Sequence, residues 1–214
     1  YAPIAHWVWN PGGWLRGLGA IDFAGGTVVH IAAGLSALAA AIVIGRRKAA
    51  KNGNEFKPNN VPFVILGAAL LWFGWFGFNA GSALAANALA VSALVVTNTA
   101  AAAAAISWMF VDWFRKGKPS AVGLAIGAVC GLVAITPASG YVNVMASIVI
   151  GLVAGIISNL VANWRATRTK LDDSLDVFAC HGVAGFWGAL ATGLFATTAI
   201  NAAGANGLFF GNPK

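Results

Sequence analysis

An aspartate stands eight residues ahead of a histidine twice in this chain, at Asp22 and His30 and again at Asp173 and His181. An imidazole can give, take or hold a proton near neutral pH. A carboxylate brings a negative charge or accepts free backbone N–H groups. Each histidine sits in a run of small and apolar residues, GGTVVH around His30 and HGVAGFWG from His181. A polar ring there is costly in a membrane and marks a site rather than a filler position. The remaining one of the 3 histidines, His6, lies in the leading segment and has a structural role by default.

The composition says what must position them. Of 214 residues, 59% are hydrophobic and 9% charged, against about one quarter charged in soluble domains. An all-α polytopic membrane protein is expected, one membrane domain over residues 1–214, because a lipid-exposed segment must satisfy its backbone hydrogen bonds internally. Six apolar segments, approximately 21–45, 59–79, 88–114, 119–136, 142–164 and 174–198, approach the ~20 residues that cross a hydrocarbon layer ~30 Å thick. Turn chemistry or charge separates them: Gly53 and Asn54 with Lys57 and Pro58, Gly117 to Pro119, Thr136 and Pro137 with Ser139 and Gly140, and Arg165 to Asp173. Cys130 and Cys180 lie in apolar segments without metal spacing and read as small buried hydrophobes. Gly151 with Gly155, and Gly182, Gly185 and Gly188, set small residues where helices can approach closely. The alanine-rich run 99–105 reads as a packed helix face.

Basic residues give the orientation. Arg46, Arg47, Lys48, Lys51 and Lys57 fill one loop, Arg115, Lys116 and Lys118 a second, and Arg165, Arg168 and Lys170 a third. The alternate loops carry none, and only Arg16 and Lys214 lie in the flanking tails. Such alternation places these three loops inside and both ends of the chain on the outer face. The net charge of +7 is thus parcelled among juxtamembrane loops, which excludes a nucleic-acid surface.

Four stretches carry a resemblance: Tyr1 to Trp9 (YAPIAHWVW), Asp22 to His30 (DFAGGTVVH), Gly74 to Ser82 (GWFGFNAGS) and Asp176 to Gly182 (DVFACHG). Together, in consistent order through nearly the whole chain, they resemble the ammonium transporter (Amt/Mep/Rh) family and its Amt branch in particular. The resemblance implies an eleven-helix fold whose first ten helices form two inverted halves. This chain, which starts at Tyr1 without an initiator Met, would supply roughly helices five to ten of a cell-membrane protein. It also implies a homotrimer with one pore per subunit, and regulation by a cytoplasmic nitrogen-signalling protein.

Residue roles carried over from the resemblance are these. Trp9 and Ser82 resemble the outer recruitment site for ammonium or methylammonium, the indole face offering cation–π attraction and the hydroxyl an acceptor. Phe78 resembles one of two stacked phenylalanines closing the outer mouth, its partner on a helix absent from this chain. His30 and His181 resemble the paired histidines at the centre of the pore, with Asp22 and Trp75 in structural or electrostatic support. Taken singly, each has a blander reading: an N-cap for Asp22, a capping or solvated carboxylate for Asp173, which sits among Asp172 and Asp176 near a basic loop, an interfacial anchor for Trp9 and packed aromatics for Phe78 and Trp75. For Asp22, capping and a direct effect on the cation are compatible.

Magnitudes shape the expected mechanism. A cation–π contact is worth about 0.5–2 kcal/mol, while moving a bare cation into low dielectric costs on the order of tens of kcal/mol. An outer site can therefore hold ammonium, whereas an apolar pore favours neutral ammonia, with the proton left behind or relayed by neutral imidazoles that each offer one donor and one acceptor nitrogen. Both outcomes stay open, and the Amt-like motifs favour a relay. An ammonium sensor would share these motifs, a passive Rh-like channel would lack the Trp9 site, and a membrane enzyme would need a catalytic cluster that the sequence does not contain. No cofactor or metal is called for.

Overall fold

The computed structural model describes residues 1–48 and 58–212. Lys51, Gly53, Asn54, Lys57 and Lys214 therefore lie outside the described residues. Two short helices, α1 (Ala2–Trp9) and α2 (Trp14–Gly17), precede a π-helical segment, π1 (Gly26–Ile31), which runs directly into α3 (Ala32–Ile44). There follow α4 (Val61–Ala80), α5 (Ala88–Lys116), α6 (Ala121–Ile135) and α7 (Val144–Arg168). A second π-helical segment, π2 (Phe178–Val183), leads into α8 (Ala184–Phe195). Among the described residues there is no strand.

The helix starts follow from capping chemistry. Asn60, Asn87, Ser120 and Asn143 each accept a backbone N–H three residues on, at 3.0, 3.0, 2.9 and 2.9 Å, satisfying donors the helix cannot. Gly117, at φ 75°, ends α5 in the left-handed region after Arg115 and Lys116, the usual stop for a helix with a basic last turn.

Five helical stretches are long and apolar enough to cross a membrane: Gly26–Ile44, Val61–Ala83, Ala88–Lys116, Val144–Arg168 and Phe178–Phe195. The sixth expected span, 119–136, is a shorter helix, Ala121–Ile135, about 22 Å at 1.5 Å per residue. Its limits are chemical: the Ser120 cap follows Pro119, and Pro137 cannot continue the ladder. Beyond its end, residues 136–140 remain buried in turns, with the Thr136, Ala138 and Tyr141 N–H groups bonded to nearby carbonyls at 2.8–3.2 Å. The expected 21–45 and 174–198 segments also begin later, at Gly26 and Phe178, since extended or turn backbone precedes each π segment.

Helix α6 forms the centre of the bundle, against α5 on one side and α7 and α8 on others. Small residues permit this. A side chain at Gly131 or Gly151 would strike the Ala100 carbonyl, one at Gly155 the Ala104 carbonyl, and one at Gly188 the Ala134 carbonyl. Ala100, Ala101, Ala103, Ala104 and Ala105 are all buried, so the alanine-rich run is indeed a packed face. Gly34 touches the backbone of Gly182, which draws α3 against π2 and brings the two histidine segments together.

Candidate functional site: a buried histidine pair under aromatic rings

Both histidines sit within π turns, and both turns are held from outside by their aspartates. Asp22 is not the N-cap residue of π1; that place is taken by Gly25, at φ 118°. Asp22 instead reaches across: Oδ1 accepts the N–H groups of Gly25 and Gly26 at 2.8 and 2.9 Å, and Oδ2 those of Thr27 and Val28 at 2.7 and 3.4 Å. Four donors at a helix start are thereby satisfied by one carboxylate. Burial pushes the Asp22 carboxyl above its ordinary value, and these four N–H groups act in the opposite direction. Asp173 repeats the device with two donors, Val177 and Phe178, at 3.0 and 2.7 Å. The Phe23 N–H bonds to the Pro137 carbonyl at 3.0 Å, tying the start of π1 to the turn that ends α6.

The rings then meet. His30 Nδ1 and His181 Nδ1 are 3.2 Å apart, with ring centroids 5.3 Å apart and planes inclined by 37°. One of these nitrogens must donate and the other accept. His30 is buried, at 3% exposure, and His181 is half-buried. His30 Nε2 is buried without a hydrogen-bond partner among the described residues.

Trp75 and Phe78 cover His30. The Trp75 ring stacks at 5.1 Å and 19°, and Phe78 at 5.8 Å and 26°. Trp75 is fixed in turn, its indole N–H donating to Thr136 Oγ1 at 2.9 Å while that hydroxyl donates to the Leu132 carbonyl at 2.7 Å. Thr136 is a site-positioning residue that the sequence reading did not single out; its place in a Thr-Pro turn masks it.

Trp9, at the end of α1, is half-buried, donating its indole N–H to the Asp22 carbonyl at 2.8 Å, while Arg16 donates to the Trp9 carbonyl at 2.7 Å. Behind it, Trp9, Arg16, Asp22, Tyr141 and Gly204 line part of a cavity of about 300 Å³. Ser82 donates its hydroxyl to the Phe78 carbonyl at 2.8 Å, leaving its oxygen free to accept. No ring contact or hydrogen bond joins Trp9 to Ser82 among the described residues, so the structure assembles His30, His181, Trp75 and Phe78 as one cluster and Trp9 with Asp22 as another. Nor do three His, Cys, Asp or Glu side chains converge as metal ligands would among the described residues.

Ion pairs gather at the basic ends of α3, α5 and α7, Lys116 pairing with Asp112 at 2.8 Å on α5. The Arg47 guanidinium grips Asp172 through both carboxylate oxygens at 2.8 and 2.7 Å, and its backbone N–H adds a third bond at 2.9 Å. Arg165 donates to Asp176 at 2.9 and 3.1 Å. Asp172 and Asp176, the neighbours of Asp173, are thus ion-paired, because the loop before π2 folds against the basic ends of α3 and α7.

Comparison with known proteins agrees with this architecture. The sequence model of the Ammonium Transporter Family matches residues 1–214. The chain is 55% identical over 214 residues to ammonium transporter Amt1 of Archaeoglobus fulgidus, covering 100% of this chain and 53% of that protein. It is 51% identical over 212 residues to an ammonium transporter of Bacillus subtilis, covering 99% and 52%. The crystal structure of Saccharomyces cerevisiae Mep2 superposes with a TM-score of 0.92 at 41% identity, covering 100% of this chain and 50% of Mep2. A structure described as a sensor Amt protein superposes at 0.86 with 37% identity, covering 92% and 51%. The chain spans about half the length of these relatives, and over that half it is an all-α, multi-pass membrane protein that belongs to the ammonium transporter family.

Proposed function

We propose that this chain forms half of a membrane pore for ammonium nitrogen, in which the cation is held and deprotonated outside and ammonia passes an apolar channel centred on His30 and His181. The observation that carries this reading is the Nδ1–Nδ1 contact of 3.2 Å between two histidines from different helices, with His30 Nε2 left unpartnered beneath two aromatic rings. An orphaned polar nitrogen in such a place costs about 1–3 kcal/mol, a cost that a small hydrogen-bonding solute arriving at Nε2 would offset. The shared bond lets a proton accepted by one ring leave from the other without a charged group crossing alone.

Trp9 and Ser82 recruit ammonium or methylammonium, and Phe78 gates the mouth together with a ring from the other half of the protein. Asp22 and Trp75 hold His30 in register. The relatives are named as transporters, and this chain is accordingly read as a carrier of solute and not an enzyme. The basic loops face the cytoplasm and both ends face outside; residues 1–214 form part of one lipid-embedded domain, assembled as a homotrimer and open to control by a cytoplasmic nitrogen-regulatory protein.

The test is solid-supported-membrane electrophysiology on the reconstituted full-length protein. Replacing both His30 and His181 with alanine is expected to abolish the ammonium-evoked current, even where ammonia flux persists. An undiminished current in the double variant rules out the relay and leaves a passive, Rh-like channel. The likeness to a sensor Amt protein favours a second reading, ammonium sensing through the same fold, and full-length protein that binds ammonium with no flux at all would select it.

A further inference from the structure

The histidine site leaves unused the chain's 2 cysteines, which lie 50 residues apart. Cys130 on α6 and Cys180 on π2 face each other with their sulfurs 3.1 Å apart. Both are free thiols, Cys130 at 0% and Cys180 at 6% exposure. Cys180 Sγ also donates to the Ile126 carbonyl at 4.0 Å.

We propose that Cys130 and Cys180 form an oxidisable thiol pair that closes to a disulfide and pins the His181 turn to α6. A covalent S–S bond is about 2.05 Å, so closure asks for a movement of about 1 Å. Helix α6 is locked by the glycine contacts with α5, whereas the π turn, with its wider and less regular bonding, is the side able to give. Cys180 immediately precedes His181, and His181 is the ring bonded to His30. Any adjustment of π2 is thereby felt at the pair.

The oxidant is a small neutral peroxide, the class that an apolar interior admits. Hydrogen peroxide oxidises the Cys180 sulfur, its O–O bond breaking to leave a sulfenic acid and one water; the Cys130 sulfur then attacks the sulfenic sulfur, expelling a second water as the S–S bond forms. Two thiols and one peroxide thus give one disulfide and two waters. A buried thiol reacts slowly because little of it is ionised, but the second step needs no outside partner, since the resolving sulfur is already in contact.

The full-length protein in liposomes, treated with hydrogen peroxide, denatured, alkylated and digested, is expected to yield a Cys130–Cys180 cross-linked peptide by mass spectrometry that dithiothreitol removes. Complete alkylation of both thiols after peroxide overturns the proposal. Methylammonium uptake, which rests on the transport reading above, is expected to fall several-fold on oxidation, to recover with dithiothreitol, and to be indifferent to peroxide in Cys180→Ala. A cross-link with unchanged uptake overturns the pinning of His181. Absence of uptake in the reduced protein counts against the transport reading alone, because the cross-link is scored by mass.

Discussion

Trp75 lies almost parallel to His30, 5.1 Å between ring centres and 19° between planes, and it is held there by a single hydrogen bond to Thr136. The relationship joins three elements: π1 supplies the imidazole, α4 the indole, and the turn after α6 the anchor. Thr136→Val keeps the shape and removes the acceptor, leaving a buried indole N–H unsatisfied at about 1–3 kcal/mol, while Thr136→Ser retains the hydroxyl. A lower thermal unfolding midpoint for the valine variant than for the serine variant is expected. Equal midpoints would show that the bond contributes nothing.

Trp9→Leu removes an indole face worth about 0.5–2 kcal/mol to a bound cation. Apparent affinity for methylammonium is expected to fall by about 2- to 30-fold, at about 1.4 kcal/mol per decade, with maximal uptake little changed. Saturation curves on the reconstituted full-length protein measure both quantities. A curve that superposes on the parent's would take Trp9 out of recruitment.

The Asp172 carboxyl is held down at about 2 from an ordinary value of 3.8 by its hydrogen bonds from Arg47. A depressed folded-state value contributes stability that is present above the ordinary carboxylate range and lost as pH falls through about 2. The difference in unfolding midpoint between the parent and Asp172→Asn is expected to hold steady from neutral pH down to about 4 and to shrink below it. A difference that does not change with pH would assign the pair no role in stability.

Single cysteines placed in loops 46–57, 115–118 and 165–170 of the full-length protein, in a background lacking Cys130 and Cys180, are expected to resist an impermeant thiol reagent added outside intact cells. Labelling of any of these loops from outside would invert the proposed topology.

The spans were legible because hydrocarbon thickness sets a length that composition must meet, and the short α6 departs from it because its neighbours, not lipid, surround it. The paired aspartate–histidine spacing pointed to a repeated device, and Asp173 capping π2 matches the reading of that residue. What the sequence did not reveal is that both histidines occupy π turns: the apolar pattern of Gly26–Ile31 and Phe178–Val183 is too short and too uniform to distinguish one helical period from another. Nor could it link Trp75 to Thr136, 61 residues away, or Cys130 to Cys180. Such pairings are products of packing, decided by which glycines let which backbones touch.

The π turns carry a consequence for how this chain tolerates change in length. Each accommodates a residue more than a regular helical turn would, and the aspartate ahead of it counts out the distance to the histidine. Deleting one residue within Gly26–Ile31 would return the segment to the ordinary helical ladder and leave α3 in register, whereas inserting one, with the π turn already taken, would rotate everything downstream by about 100° at 3.6 residues per turn. The eight-residue interval therefore has slack in one direction only: a deletion is taken up by loss of the π turn and an insertion misdirects the ring, while a side chain at Gly25, at φ 118°, or at Gly26, against the Pro137 ring, has no room.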